Sequence, residues 1–300
     1  MSAPTAAPPA VPVNLHRISA KRRFKDRTMR GLVVMAFLLA LIPLTWVLWT
    51  TVSRGIGLVL TAEWWTTSMR NVGPNDVGGG ALAAIQGTLI QAAIATAIAV
   101  PIGVLGGVYL VEYRDKRLVK PLSFMTDVLT GIPSIVSGLF IYALLITTFG
   151  FNRMGLLVSL ALTLLMIPVI VRGTEEMLKI VPTELREASF ALGVPRWRTI
   201  TKVVLPTAMS GIITTVMLGV ARIMGETAPL LILVGYTASI NNNPFGGEQA
   251  ALPLMINVER GNPLPAGQER AWAAALTLIL LVMVLNVGAR LISRYSGVKR

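Results

Sequence analysis

The chain has 300 residues, 54% of them hydrophobic and 14% charged, with 27 Lys and Arg against 14 Asp and Glu and no cysteine. That balance excludes a disulfide, a thiolate metal site and a cysteine nucleophile, and charges gathered into a few segments mark a polytopic helical membrane protein rather than a soluble core. The net charge of +13 sits beside apolar runs and not on one face, which points to anionic inner-leaflet lipid and away from nucleic acid.

Residues 1–30 read as a disordered, basic cytoplasmic tail, rich in Pro and Ala and holding the only histidine, His16. The basic stretch 17–30 precedes an apolar run, as in a signal peptide, but the run lacks a small-x-small cleavage site and is long enough to be retained as a first span. Crossing the hydrocarbon takes roughly 20 apolar residues. Six stretches qualify, at about 31–53, 81–111, 122–149, 154–171, 205–236 and 271–293. The expected architecture is therefore all-α, a six-span membrane domain over 31–294 with a short basic cytoplasmic tail at 295–300. The second, third and fifth stretches exceed what a span needs, so tilt or breaks are expected there. Residues 54–80 and 237–270 are connections rich in Gly, Pro and Asn, the second with a short interfacial helix near Leu252–Val258.

Orientation follows from the basic residues. With a cytoplasmic N-terminus, the inner segments hold 21 Lys and Arg and the outer ones 5, leaving Arg222 inside a span. The positive-inside rule then places both termini in the cytoplasm. Trp46, Trp49, Trp64, Trp65 and Trp272 fall near the outer interface, as an aromatic belt would.

The inner segment 172–206 is polar and basic between two apolar stretches. Thr183 suits a helix cap, with Glu184 and Glu187 in the first turn where the helix dipole favours acid. Leu185, Ala188, Ser189 and Leu192 share one face by helical spacing. Gly193 suits a left-handed stop, Pro195 prevents continuation, and Leu205-Pro206 reads as a hinge. A short helix with such a face wants a partner's groove; the alternative is an inner loop resting on lipid, against which the small Ala188, Ser189 and Gly193 argue.

Further along, Arg222 lies sixteen residues past Pro206, about 24 Å along a helix, with Glu226 one turn on. A charge at that depth faces a cavity or a partner. Two compatible readings stand: an ion pair locking the fifth span, or an anion site in which the guanidinium grips a tetrahedral oxyanion bidentately and the glutamate accepts from a protonated one. In the third stretch, Gly131-Ile132-Pro133-Ser134 and Ser137-Gly138 give either a break whose backbone and hydroxyls face a pathway or a kinked packing helix. Gln86, Thr88 and Gln91 read as interhelical hydrogen bonds.

Glu187, Ala188, Gly193, Val203, Leu205 and Pro206 fall on the spacing Glu-Ala-Ala, three residues, Gly, nine residues, Ile-x-Leu-Pro, with Ser189 and Val203 as small departures. This loop, with Tyr-Leu-Val-Glu-Tyr ending at Tyr113, the 131–140 segment, Pro-Val-Ile-Val-Arg ending at Arg172 and the 221–231 segment, resembles the PstA-type permeases of phosphate ABC importers over roughly 80–294. The resemblance implies several partners: a second, PstC-like permease, two copies of an ABC ATPase docked on the 183–206 loop, and an extracytoplasmic phosphate-binding protein. It implies that ATP and Mg are bound by the ATPase, with no cofactor in this chain. It ties Arg172, Arg222 and Glu226 to transport, although Arg172 by position alone is equally a snorkelling anchor. Because Arg-x-x-Gly-Glu also occurs in permeases similar to sulfate and molybdate importers, another oxyanion is the alternative substrate. A membrane sensor or enzyme fits less well, since the sequence holds no P-loop, HExxH or paired acidic motif.

Overall fold

The computed structural model describes residues 20–113 and 116–296, and they contain helices and no strand. In chain order these are α1 (Ala20–Val59), α2 (Ala62–Thr66), α3 (Leu82–Glu112), α4 (Lys116–Gly131), α5 (Ser134–Ile141), α6 (Gly155–Ile180), α7 (Thr183–Ala191), α8 (Arg196–Thr199), α9 (Leu205–Met224), α10 (Ala228–Leu233), α11 (Leu252–Arg260) and α12 (Pro265–Ser296). π-helical turns extend α5 over Tyr142–Thr148 and join α8 to α9 over Ile200–Val204.

The chain divides at Thr50 into two units. The first is the part of α1 up to Thr50, an apolar helix with Pro43 inside it. Residues 20–30, expected in the disordered tail, are its first turns, because Lys, Arg and Ala are good helix formers and the single Gly31 before the apolar run is tolerated within a long helix. The tail over 1–19 and residues 297–300 lie outside the described residues.

In the second unit α3 and α6 form the most extensive helix pair. Gly103 and Gly107, one turn apart, bring the backbones together: a Cβ at either would stand 2.6 Å from the Cβ of Ile170 or Thr174. Small residues at this spacing permit close helix approach where no hydrophobic force distinguishes helix from lipid. The end of α9 and the start of α10 close the same core through Ile223, Met224 and Leu230, all buried beside Leu162 and Met166.

Among the described residues five helices are long and apolar enough to cross a membrane, and a bent pair makes a sixth if its halves are one span. That pair is the third stretch, with a break of the kind expected there. α4 and the α5 segment meet at 105°, because Pro133, in extended backbone at φ −59°, ψ 141°, has no N–H to continue the ladder. The fifth stretch is also not one helix. α9 stops at Met224 and α10 starts afresh at Ala228; Pro229 cannot donate to the carbonyl of Gly225, and its ring would collide with that carbonyl in a continuous helix.

The connections 54–80 and 237–270 are packed rather than loose. Arg270, 2% exposed, donates from Nε to Glu259 Oε2 at 2.9 Å and from Nη1 to the Asp76 carbonyl at 2.7 Å. Trp64 is not in an outer belt: it is fully buried, and its Nε1 donates to Thr277 Oγ1 at 2.8 Å. Thr88 Oγ1 accepts from the Leu252 amide at 2.8 Å, and Gln91 Nε2 donates to Gln249 Oε1 at 3.0 Å. These two α3 side chains thus fasten the outer segment 249–252 onto α3.

Candidate functional site

Arg222 is the last polar side chain of α9 and stands 48% exposed. Its closest ionic neighbour is Glu226, at 4.0 Å from Nε to Oε1. Glu226 is not on the same helix face, because α9 ends before it; it occupies the three-residue break Gly225–Thr227, and its side chain is 19% exposed. A small cavity of about 10 Å³ beside it is lined by Thr88, Gln91, Ala92, Leu162 and Ile223, among others. Ala92 lies ten residues into α3 and Leu162 seven residues into α6, about 15 and 10 Å from the starts of those helices. The break is therefore well inside the bundle. A discontinuous helix at such depth is tolerated where it lines a cavity or is covered by protein.

The Arg222 side chain makes no hydrogen bond among the described residues, and a 4.0 Å contact is an ion pair at the limit of reach. Arg270 is the contrast, saturated by a buried carboxylate and a carbonyl. An unsaturated, half-exposed guanidinium keeps its planar fork free for a bidentate acceptor.

Arg172 is differently placed. On α6, it pairs with Asp127 of α4 and with Glu175 at 2.5 Å, and its Nη2 donates to Ser123 Oγ at 2.9 Å. Lys179 extends the network through Glu175 at 2.7 Å. The structure thus uses Arg172 to tie α4 to α6 and does not bring it to Arg222. Ser134 and Ser137 are adjacent: the Ser137 hydroxyl donates to the Ser134 carbonyl at 2.7 Å, which satisfies it within its own turn. Next to it, Gly138 lies against Pro229, where a Cβ would stand 3.0 Å from the Pro229 Cα. α5 thereby packs on α10, just beyond Glu226 in the chain.

The inner loop forms two short helices. α7 starts behind Pro182, with Thr183 already helical and making no cap, so Glu184 alone of the two acids falls in the first turn. Gly193 adopts φ +71°. Its amide donates to Phe190 O at 2.9 Å and the Val194 amide to Ser189 O at 3.2 Å, the paired bonds of a Schellman stop. The supposed common face splits. Ser189 turns inward, buried, with Oγ 2.8 Å from Thr199 Oγ1, while Leu185, Ala188, Phe190, Leu192 and Trp197 stay exposed, as do Glu184 and Glu187. The inward Ser189 braces α7 against α8; the outward apolar side chains have no cover in this chain. Leu205 and Pro206 are not a hinge, for Arg196–Met224 runs on as one helical span. The wider π turn at Ile200–Val204 absorbs the proline without a break.

Two pairs escaped the sequence reading. Arg186 of α7 donates from Nε and Nη2 to Oε1 of the buried Glu112 at 3.0 and 2.9 Å, and also to the carbonyls of Leu178 and Val181. Arg196 lies over the Tyr113 ring at 5.1 Å, and Tyr113 stacks on Tyr109. The available signal was a glutamate between two tyrosines at the end of an apolar helix, where a carboxylate needs a cation.

The family model described as "Binding-protein-dependent transport system inner membrane component" matches residues 99–296. The chain is 48% identical over 292 residues to the phosphate transport system permease protein PstA 1 of Mycobacterium tuberculosis (strain ATCC 25618 / H37Rv), covering 97% of this chain and 94% of that one. It is 50% identical over 287 residues to the phosphate transport system permease protein PstA of Mycobacterium leprae (strain TN), covering 96% and 94%. A solved chain of a bacterial alginate ABC transporter, in complex with its alginate pentasaccharide-bound periplasmic protein, shares the fold at a TM-score of 0.60 and 15% identity, covering 92% of this chain and 96% of that one.

Proposed function

The chain belongs to the family of binding-protein-dependent transport system inner membrane components, and on that footing we propose that it is the membrane-spanning permease subunit of an ATP-driven importer of inorganic phosphate, as its mycobacterial relatives are named. It is not itself an enzyme; a separate ATPase subunit binds ATP and Mg and hydrolyses the nucleotide. The observation that carries the site assignment is the free fork of Arg222 beside Glu226 at a helix break inside the bundle. The guanidinium binds two oxyanion oxygens, and the carboxylate accepts a hydrogen bond from a protonated phosphate. A fully deprotonated anion such as sulfate has no proton to offer Glu226 and meets like charge instead. Arg172, Ser134 and Ser137 complete the pathway set as positioning groups: Arg172 holds α4 on α6, and the serines shape the α5 turn that packs against Pro229.

A second, PstC-like permease covers the exposed side of Arg222, one of two ATPase copies seats the exposed apolar side of α7 and α8, and a phosphate-binding protein delivers the substrate from outside. Anionic lipid meets the basic inner segments. ATPase closure moves the 183–206 loop and switches the permease between outward- and inward-facing states. Purification of the chain with its partner permease, ATPase and binding protein, followed by assay of ATP hydrolysis with phosphate, sulfate or molybdate, tests this. Phosphate should stimulate; stimulation by sulfate or molybdate alone moves the substrate to another oxyanion, and stimulation by none removes the importer reading.

The termini lie in the cytoplasm and the 237–251 segment outside. The chain lacks native cysteine, so single cysteines report cleanly. Asn242→Cys, at an exposed position, should react with an impermeant thiol reagent on intact cells, and Ser2→Cys should not. The reverse pattern inverts the topology.

A further inference from the structure

Building on the importer reading, we propose that Glu112 and Arg186 are the positioning pair by which the inner loop carries α3 and α6 along with it. The loop has a covalent route to α9, since Arg196–Met224 is one helical span. It has no such rigid route to α3, whose inner end leads into α4, or to α6, from which α7 is separated by the non-helical Val181–Pro182 corner. The link across that gap is ionic. Arg186, 14% exposed, reaches with two nitrogens to one oxygen of Glu112, 6% exposed, and with its remaining fork to the Leu178 and Val181 carbonyls that end α6. One side chain of α7 therefore grips the ends of both α3 and α6. A second contact repeats the arrangement from α8: the Arg196 guanidinium sits 5.1 Å over the Tyr113 ring, itself stacked on Tyr109 at 5.5 Å.

What is gripped moves as a unit. Gly103 and Gly107 hold α3 so close to α6 that not even a methyl group fits between Gly107 and Thr174, and well-packed interfaces transmit displacement instead of absorbing it. A push on α7 at its exposed apolar side thus reaches two destinations. Along the helix it reaches α9 and Arg222; through Glu112–Arg186 it reaches the α3–α6 pair, which carries Thr88, Gln91 and Leu162 of the cavity beside Glu226. If the ionic link is lost, the ATPase still docks and α9 still moves, but the cavity walls no longer follow.

The readout is the coupling ratio, phosphate moved per ATP hydrolysed, in the reconstituted complex of both permeases, ATPase and binding protein. Glu112→Gln keeps the shape and an acceptor but removes the charge. It should assemble with the same amount of ATPase and keep its basal hydrolysis, while the coupling ratio falls about tenfold. Arg186→Lys should do the same, and the double variant should be no worse than either single one, because the two act as a pair. A wild-type ratio in Glu112→Gln, or losses that multiply in the double variant, overturns the proposal. Should Glu112→Gln fail to assemble, Arg196→Gln decides: it breaks the exposed second contact, should assemble, and should lower the ratio severalfold, and an unchanged ratio there also overturns the proposal. Absence of phosphate-stimulated hydrolysis in the unaltered complex would instead remove the importer reading, and this inference with it.

Discussion

In the reconstituted complex, Arg222→Ala should lower phosphate uptake by at least about 100-fold, the scale of losing a charged hydrogen-bonding partner from a desolvated pair, with assembly unimpaired. Both halves of that expectation come from geometry. The Arg222 side chain makes no hydrogen bond among the described residues and touches Glu226 only at 4.0 Å, so its removal leaves no buried partner orphaned within the subunit. Its half-exposed guanidinium is nonetheless the feature suited to a bidentate anion. Arg222→Lys should recover little, because an ammonium is a point charge without the planar fork. The measurement is radiolabelled phosphate uptake into vesicles alongside a pull-down of the ATPase. Normal uptake by Arg222→Ala would remove the anion site, and failed assembly would make the residue a structural one.

Gly193→Val should separate the subunit from its ATPase. The residue sits at φ +71° as the stop of α7, a conformation that costs a side chain about 1–2 kcal/mol and a β-branched one the most. Within this chain a Cβ at Gly193 meets nothing within 4 Å, so no internal clash adds to that cost. The subunit itself should insert and fold. The damage should fall on the direction in which α7 presents Leu185, Ala188 and Leu192, and on the fit of added bulk beside a docked partner. Gly193→Asn, which tolerates the left-handed region, separates the two causes: it should restore the stop but retain the bulk. Co-purification and phosphate-stimulated hydrolysis on one preparation are the assay, and a Gly193→Val protein with undiminished stimulated hydrolysis would sink the docking role. Glu187→Ala should be mild, since Glu187 is exposed and lies beyond the first turn.

Much of this was legible in the residues. Hydropathy located the spans because a helix is the solution that satisfies every backbone group in lipid, and Gly193 declared its left-handed stop because few other residues adopt one. Pro133 announced a break but not its 105° angle, which depends on what α4 and α5 pack against. The end of α9 was less visible. Periodicity carries Glu226 onto the Arg222 face, and the veto comes from Pro229, four residues beyond Gly225, whose ring acts on a carbonyl behind it. Ser189 was misread because an amphipathic spacing gives a face but not which way the face turns; its hydroxyl needed Thr199, ten residues on, to show that it turns inward. Arg186 and Glu112 were invisible for a related reason. They are 74 residues apart, and an ion pair between distant segments leaves no local pattern.

The bare side of Arg222 also bears on how much of this subunit a cell can keep. A guanidinium facing hydrocarbon costs about 2.5–3.5 kcal/mol on insertion scales and more in other estimates, and in an orphan copy nothing among the described residues saturates it. Pairing with a second subunit that covers this side removes the penalty, so the free energy appears as affinity between subunits and the stable level of one chain rises with the supply of the other. On the proposed reading, the residue that would hold a passing anion thereby also sets a stoichiometry: surplus copies stay strained until a matching half is made.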